Sequence, residues 1–451
     1  MKLTFHGGAQ SVTGSNYMLE SEGKKILIDC GLFQGASFSE MKNYDKFEYD
    51  PKSILAVFVT HAHIDHIGRI PQLHRLGFEG RIVSTEPTRD FAEALLLDAE
   101  HTMREEAERH RKAPLYTIED VNHAMKLWEG VPYHRKLNVG PFEIEFYDAG
   151  HVLGSSSIVV SVEGKRIVFS GDLGNTPAPF IHPTEQIPDV DYALIESTYG
   201  DRLHERLDER QNLLEDVIEE TVKAGGTLMI PAFALERTQE LLFEISDLVK
   251  EGKIPQAPVF VDSPLAIKLT AVYQKYSTNE MYFSEEAIVR FKRGSAMFNF
   301  PGLTMSLTVE QSKAINNVEP PKVVIAGSGM SQGGRILHHE SRYLSDPHSA
   351  ILFVGYQSVN SLGRRIMQGD KIVRVLGEDV PVRCKVHSIS GYSAHADQNQ
   401  LLQWLEPMRE NVKRVFVVQG EEGSSEAFAR RAIDSLAIEA EVPAPGSTVV
   451  L

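Results

Sequence analysis

The run His61-Ala62-His63-Ile64-Asp65-His66 packs three imidazoles and a carboxylate into a few residues, directly after the apolar run 54–59. Imidazole nitrogen and carboxylate oxygen are the ligands that zinc and other borderline divalent ions prefer. A tight loop of this composition at the end of a strand can aim its side chains at two metals. The first and third positions would face one ion, and the Asp65-His66 pair would face a neighbouring one. The competing reading is a His-rich surface loop, and it weakens because matching residue types recur downstream.

Asp29 follows the apolar stretch 25–28. His151 follows Ala149-Gly150 after an alternating run over 142–147, and Asp172 sits in Ser170-Gly171-Asp172. Each of these is expected at the end of a strand. Ligands held on rigid strand ends converge at one edge of a layered protein, while the loops leave a coordination position open. Water at that open position becomes acidic enough to supply hydroxide near neutral pH.

The elements that must position these side chains are legible as periodicity. Residues 89–110 read as a long helix, with Phe91, Leu95, Leu96 and Ala99 at helical spacing. Runs 157–162 and 165–170 read as a hairpin around Glu163-Gly164, and 191–195 is a strand ending at Glu196-Ser197-Thr198-Tyr199-Gly200. After Gly200 the texture changes. A helix over 206–224, a strand over 226–231, a helix over 238–250 and short apolar runs at 259–261 and 322–326 predict a doubly wound α/β unit. Strand-rich texture returns near Asp370, and a helix over 399–406 follows Gly391-Tyr392-Ser393-Ala394-His395-Ala396-Asp397. The second unit is therefore expected as an insertion: residues 1–200 and 376–451 form one domain, and 201–375 the other.

A chain of 451 residues, 42% hydrophobic and 24% charged, has ample material for two packed cores. Its cysteines, Cys30 and Cys384, build no disulfide framework and no cysteine-rich zinc ribbon. The first residues read straight into a strand rather than a secretory signal, and no apolar run reaches the length of a membrane span, so a cytoplasmic protein without a membrane partner is expected. The formal net charge of -16 argues against broad, non-specific nucleic-acid binding, although a local positive groove on an acidic body is compatible with it.

Asp29, His61, His63, Asp65, His66, His151 and Asp172, in this order, resemble the ligand series of the metallo-β-lactamase superfamily. That resemblance implies an αββα sandwich carrying two zinc ions. One ion would take His61, His63 and His151. The second would take Asp65, His66 and, from the later motif, His395; Asp172 would bridge both, and Asp29 would orient a ligand from behind. Ile195-Glu196-Ser197-Thr198-Tyr199-Gly200, Gly327-Ser328-Gly329-Met330-Ser331 with Gly333-Gly334-Arg335, and the His395 motif are similar to the β-CASP branch of metal-dependent nucleases. The inserted α/β unit is then the β-CASP domain.

The function that this resemblance implies is a zinc-dependent ribonuclease, acting endonucleolytically on single-stranded RNA through a metal-bridging hydroxide. Asp65, Asp172, Glu196 and His395 would be its catalytic residues, with Glu196 orienting His395 or relaying a proton to the leaving oxygen. Ser328, Ser331, Gly333, Gly334, Arg335, Arg237 and Gln419 are the expected phosphate contacts, with Lys268 and Arg364 as further basic candidates. Three positions depart from the family pattern: Gln419 stands where a histidine is usual, and Glu236 and Asn360 stand where glycine is common. The generic ligand set alone also admits a hydrolase of small esters or thioesters, and Gln419 alone admits a catalytically weak RNA-processing subunit. Oligomeric state, a homodimer included, is open at this level.

Overall fold

A computed structural model describes residues 1–35, 41–110, 113–205, 207–292 and 298–451. The chain divides into two compact units, Met1–Leu203 with His395–Leu451, and His204–Ala394. No described helix is long and apolar enough to cross a membrane.

The first unit is built on two seven-stranded sheets. One runs in the order Thr448–Val450, Lys2–Gly7, Asn16–Ser21, Lys24–Ile28, Ile54–Phe58, Arg81–Thr85, Trp128–Val131. The other runs Ala440–Glu441, Arg414–Val418, Tyr192–Glu196, Lys165–Phe169, Ser156–Val162, Phe142–Asp148, Leu137–Val139. Aromatic side chains from the two sheets meet in the core: Phe5 with Phe416, Tyr17 with Phe169, and Phe58 with Phe146, ring centroids 5.4, 6.1 and 6.4 Å apart. The strict alternation of Phe142–Asp148 explains how such a strand buries one face, since Phe142, Ile144 and Phe146 point inward at every second residue. On the outer faces, helix Glu86–His110 packs against Arg81–Thr85 and Trp128–Val131. Leu401, Trp404, Leu405 and Phe428 cover Ala193, Ile195, Val415 and Val417 of the other sheet. This is the αββα sandwich that the motifs imply.

Register brings the ligand-bearing loops to one edge. Lys24–Ile28 and Ile54–Phe58 are parallel with Ile28 opposite Phe58, so the residues after both strands emerge side by side. In the second sheet Phe169 pairs with Leu194, and Glu196 with Val418, again in parallel. Asp148 pairs with Ser156 across the hairpin that contains His151.

The second unit carries a six-stranded, all-parallel sheet in the order Leu303–Met305, Val259–Val261, Lys322–Ala326, Thr227–Pro231, Ala350–Phe353, Lys385–Ser388. Helix Leu207–Ala224 leads into the first of its strands, and helices Arg237–Lys250, Pro264–Tyr276 and Ile336–Tyr343 connect later ones, the doubly wound texture read from the sequence. Arg206, the expected start of the first of these helices, lies outside the described residues. The sequence reading returns to the first domain at 376, whereas the compact unit extends to Ala394. The physical reason is Lys385–Ser388, which adds itself in parallel to Ala350–Phe353.

Candidate metal centre

Strand Ile54–Phe58 ends at Thr60, and the polypeptide then turns through His61–His63 into the short helix Ile64–Ile67. Backbone contacts pin this turn. Ser15 N donates to Asp65 O at 2.9 Å, and Cys30 N donates to His66 O at 2.8 Å. Gly31 is obligatory beside it, because a Cβ there would lie 1.5 Å from Asp65 O.

Three rings converge from this turn and from the His151 loop. His63 Nδ1 lies 3.0 Å from His61 Nε2 and 3.2 Å from His151 Nε2, and Asp172 Oδ2 lies 3.4 Å from His61 Nε2. One ligand atom from each of His61, His63, His151 and Asp172 falls within 4.8 Å of the others. Burial lowers the pKa of His63 and His151 well below the usual imidazole range, and neighbouring histidines add to the effect. Imidazole nitrogens brought together beside a carboxylate can present lone pairs to a common point. Such a donor set suits a divalent cation, and nitrogen with oxygen suits zinc. The residues fit the ion.

Asp172 is buried, which raises its carboxyl pKa, but the histidines around it (His66, His61 and His395) outweigh that and hold it well below the usual range. His66 shows the mirror image. Burial disfavours its charge, yet Asp172, Asp29 and Asp65 together raise its pKa well above the ordinary value. Burial pushes the Asp65 carboxyl up, with His66 acting against it.

Asp29, at φ +60°, accepts from Thr60 N at 2.8 Å, from Ser15 Oγ at 3.0 Å and from His66 Nδ1 at 2.7 Å. That last bond turns His66 Nε2 toward Asp172 Oδ1, 3.4 Å away. Thr60 Oγ1 also reaches His61 Nδ1 at 3.1 Å. Sequence reasoning did not single out Thr60 or Ser15; the available signal was a hydroxyl immediately before the first histidine.

His395 enters from the other side. Its backbone bridges to Gly174, Ala396 N donates to Leu173 O at 2.8 Å, and a reciprocal cap between Asp397 and Gln400 starts the helix Gln398–Leu405. His395 Nδ1 lies 3.1 Å from both Glu196 carboxylate oxygens and 3.9 Å from Asp172 Oδ2. Glu196 is fully buried and is itself fixed by Leu173 N at 2.7 Å. Asp172, Glu196 and His395 thus form a second convergent group, which Asp65 and His66 do not join.

The residues expected at phosphates fall in different places. Gln419 lies in this centre, its Nε2 2.9 Å from both His66 Nε2 and Asp172 Oδ1. The others lie in the second unit, around the carboxyl ends of its parallel strands. Ser331 is buried and donates to Glu340, and Arg237 is buried and paired with Glu240. Arg335 spends its guanidinium on Asp262 Oδ1 (2.7 Å) and on the Ser306 and Leu307 carbonyls (3.0 Å each). Ser328 Oγ accepts from Gln332 N at 3.0 Å. Gly334 adopts φ +74°, and a Cβ there would run into Gly327 O, while a Cβ at Gly333 would meet open space. Glu236 and Asn360 adopt φ +66° and +67°, which explains why glycine suits both positions.

Comparison with known proteins shows the family. Residues 11–206 match the metallo-beta-lactamase superfamily, 238–366 the Beta-Casp domain, and 379–443 the Zn-dependent metallo-hydrolase RNA specificity domain. A ribonuclease of Thermus thermophilus is 40% identical over 422 residues, 94% of each chain. An RNase J-like protein of Methanocaldococcus jannaschii is 32% identical, over 99% of this chain and 98% of that protein. A transcription termination factor, FttA, of the same organism is 30% identical, over 95% of this chain and 68% of its own length. A crystal structure of an Enterococcus faecalis protein of unknown function shares the fold, with TM-score 0.54 at 12% identity, over 100% of this chain and 99% of that one.

Proposed function

The chain belongs to the β-CASP branch of the metallo-β-lactamase superfamily, a branch of metal-dependent hydrolases, and on that premise we propose that it is a zinc-dependent ribonuclease cutting single-stranded RNA internally. The observation that carries the proposal is the convergence of His61, His63, His151 and Asp172 within 4.8 Å, beside the Glu196–His395 pair that shares Asp172. The names of the ribonuclease and RNase J-like relatives support RNA as the substrate class.

His61, His63, His151 and Asp172 would hold one ion in this reading, and Asp65, His66 and Asp172 a second; His395, which the sequence suggests as a further ligand of the second, is given the proton-donor role because its ring is held by Glu196. Zinc bound there supplies Lewis acidity, bringing the ionisation of water toward neutral pH and offsetting charge on the phosphoryl oxygens. Asp29 and Thr60 keep the ligand rings in one tautomer and one orientation.

His395 serves as the proton donor. Its Nδ1–H stays with Glu196, and the Nε2 proton passes to the departing 3′ oxygen as the P–O bond breaks, leaving a 5′-phosphate and a 3′-hydroxyl. The buried Glu196 carboxylate keeps the imidazole charged until that moment: burial opposes the charge, but Glu196 and Asp172 hold the pKa up at about 9.

The test is cleavage of end-labelled single-stranded RNA by zinc-loaded protein, with His151→Ala as control. Internal fragments from the wild type, absent in the variant together with its bound metal, are expected. A metal-loaded protein that leaves RNA intact overturns the ribonuclease reading and returns small esters to consideration. Mononucleotides alone overturn the endonucleolytic mode.

A further inference from the structure

The amide of Gln419 occupies the pocket between two ligands of the proposed second ion. Its Nε2 lies 2.9 Å from His66 Nε2 and 2.9 Å from Asp172 Oδ1, two atoms themselves 3.4 Å apart. The geometry is set from behind. Asp29 holds the Nδ1 side of His66, so Nε2 is the atom that His66 turns into the pocket, facing Asp172 Oδ1. The amide nitrogen of Gln419 stands against both of these atoms, where an ion would need them.

Gln419 has little freedom to withdraw. It is 2% exposed and sits at φ +48° directly after strand Arg414–Val418. Its N donates to Gly8 O at 2.6 Å and its O accepts from Thr198 Oγ1 at 3.0 Å. The amide nitrogen thus stands against both atoms that an ion would need, and to ligate, the side chain must turn its oxygen inward and leave both contacts. A neutral amide oxygen is also a poorer zinc ligand than imidazole or carboxylate. The ligand atoms reflect the same imbalance, since His61, His63, His151 and Asp172 form a four-residue group that Asp65 and His66 do not join.

We infer that Gln419 makes the centre uneven: one zinc is held tightly by His61, His63, His151 and Asp172, and the position beside Asp65 and His66 takes a second zinc weakly, in competition with the Gln419 amide. The inference rests on the metal reading of the proposed function and concerns metal stoichiometry rather than turnover.

The test is calorimetric titration of the metal-stripped full chain with zinc chloride, followed by desalting and metal analysis. The wild type is expected to retain about one zinc, with the second site weaker by at least the ~10–100-fold that loss of an outer hydrogen-bond partner costs. Gln419→His supplies an imidazole and is expected to retain about two. Gln419→Glu, isosteric with the wild type, supplies a charged oxygen and is expected to tighten the second site as well, which keeps the test open if the histidine variant does not fold. Two zinc ions of indistinguishable affinity in the wild type, or folded variants whose second site is unchanged, overturn the inference. A wild type that takes up no zinc overturns the metal reading itself.

Discussion

Asp29 Oδ2 accepts the Nδ1 proton of His66 at 2.7 Å, so a carboxylate on one strand end sets the tautomer of an imidazole presented by the next. Nothing in this arrangement requires Asp29 to touch an ion. Its work is to aim His66 Nε2 into the centre, and Thr60 and Ser15 hold it in place for that purpose.

Asp29→Asn should therefore weaken metal binding while preserving the fold. Asparagine tolerates the φ of +60° found here, but its amide can donate toward His66 Nδ1 and drive the imidazole proton onto Nε2. Zinc affinity measured by chelator competition is expected to fall ~10–100-fold. An unchanged affinity would show that His66 finds its tautomer without Asp29.

Glu196→Gln should lower kcat ~10²–10⁴-fold, the range of a lost acid–base contribution, with zinc content unchanged. The pH profile distinguishes positioning from support of the scaffold. Activity that needs protonated His395 falls as pH rises through its pKa, which Glu196 holds above the ordinary imidazole value. Removing the Glu196 charge lowers that pKa, so the alkaline limb should move to lower pH. A fall in kcat with the limb in place would assign Glu196 a purely structural role.

Much of this was readable in advance because the signals were local. The apolar runs before Asp29, His61 and Asp172 are strands, and the ligand types stand directly after them. The sheet order and register that bring Glu196 beside Gln419, however, depend on pairing between residues more than 200 positions apart. The fate of Gln419 was hidden for the same reason. Its departure from histidine is visible in the chain, but only the paired strands show its amide between His66 and Asp172. Arg335 is a further case. A basic residue after two glycines reads as a phosphate contact, yet Asp262, 73 residues away, takes its guanidinium.

Arg335→Ala should accordingly act on stability. Asp262 would keep His339 at 2.9 Å and Ser312 but lose its strongest cationic partner, and the Ser306 and Leu307 carbonyls would lose a donor. A loss on the order of 1–3 kcal/mol is expected by denaturant unfolding. The dependence of RNA affinity on salt should stay as in the wild type, because a released phosphate contact would flatten the slope by about 0.7 on logarithmic axes. A flatter slope with unchanged stability would restore Arg335 as a phosphate ligand.

Glu340 offers a pH-dependent counterpart in the second unit. Its side chain is buried in helix Ile336–Tyr343, and burial raises its carboxyl from the ordinary 4.5 to about 8, despite the hydrogen bond from Ser331. Below about pH 4.5 the folded and unfolded chains both carry the proton. Between there and about pH 8 only the folded chain keeps it, so this group's stabilising contribution falls as pH rises and is exhausted above the folded pKa. Glu340→Gln removes that dependence. The difference in thermal midpoint between variant and wild type should shift in favour of the variant from pH 5 to pH 8, whatever constant offset the amide's own burial adds. A difference that stays flat across this range would mean that Glu340 is ionised in the folded protein and that a cation or water has satisfied it.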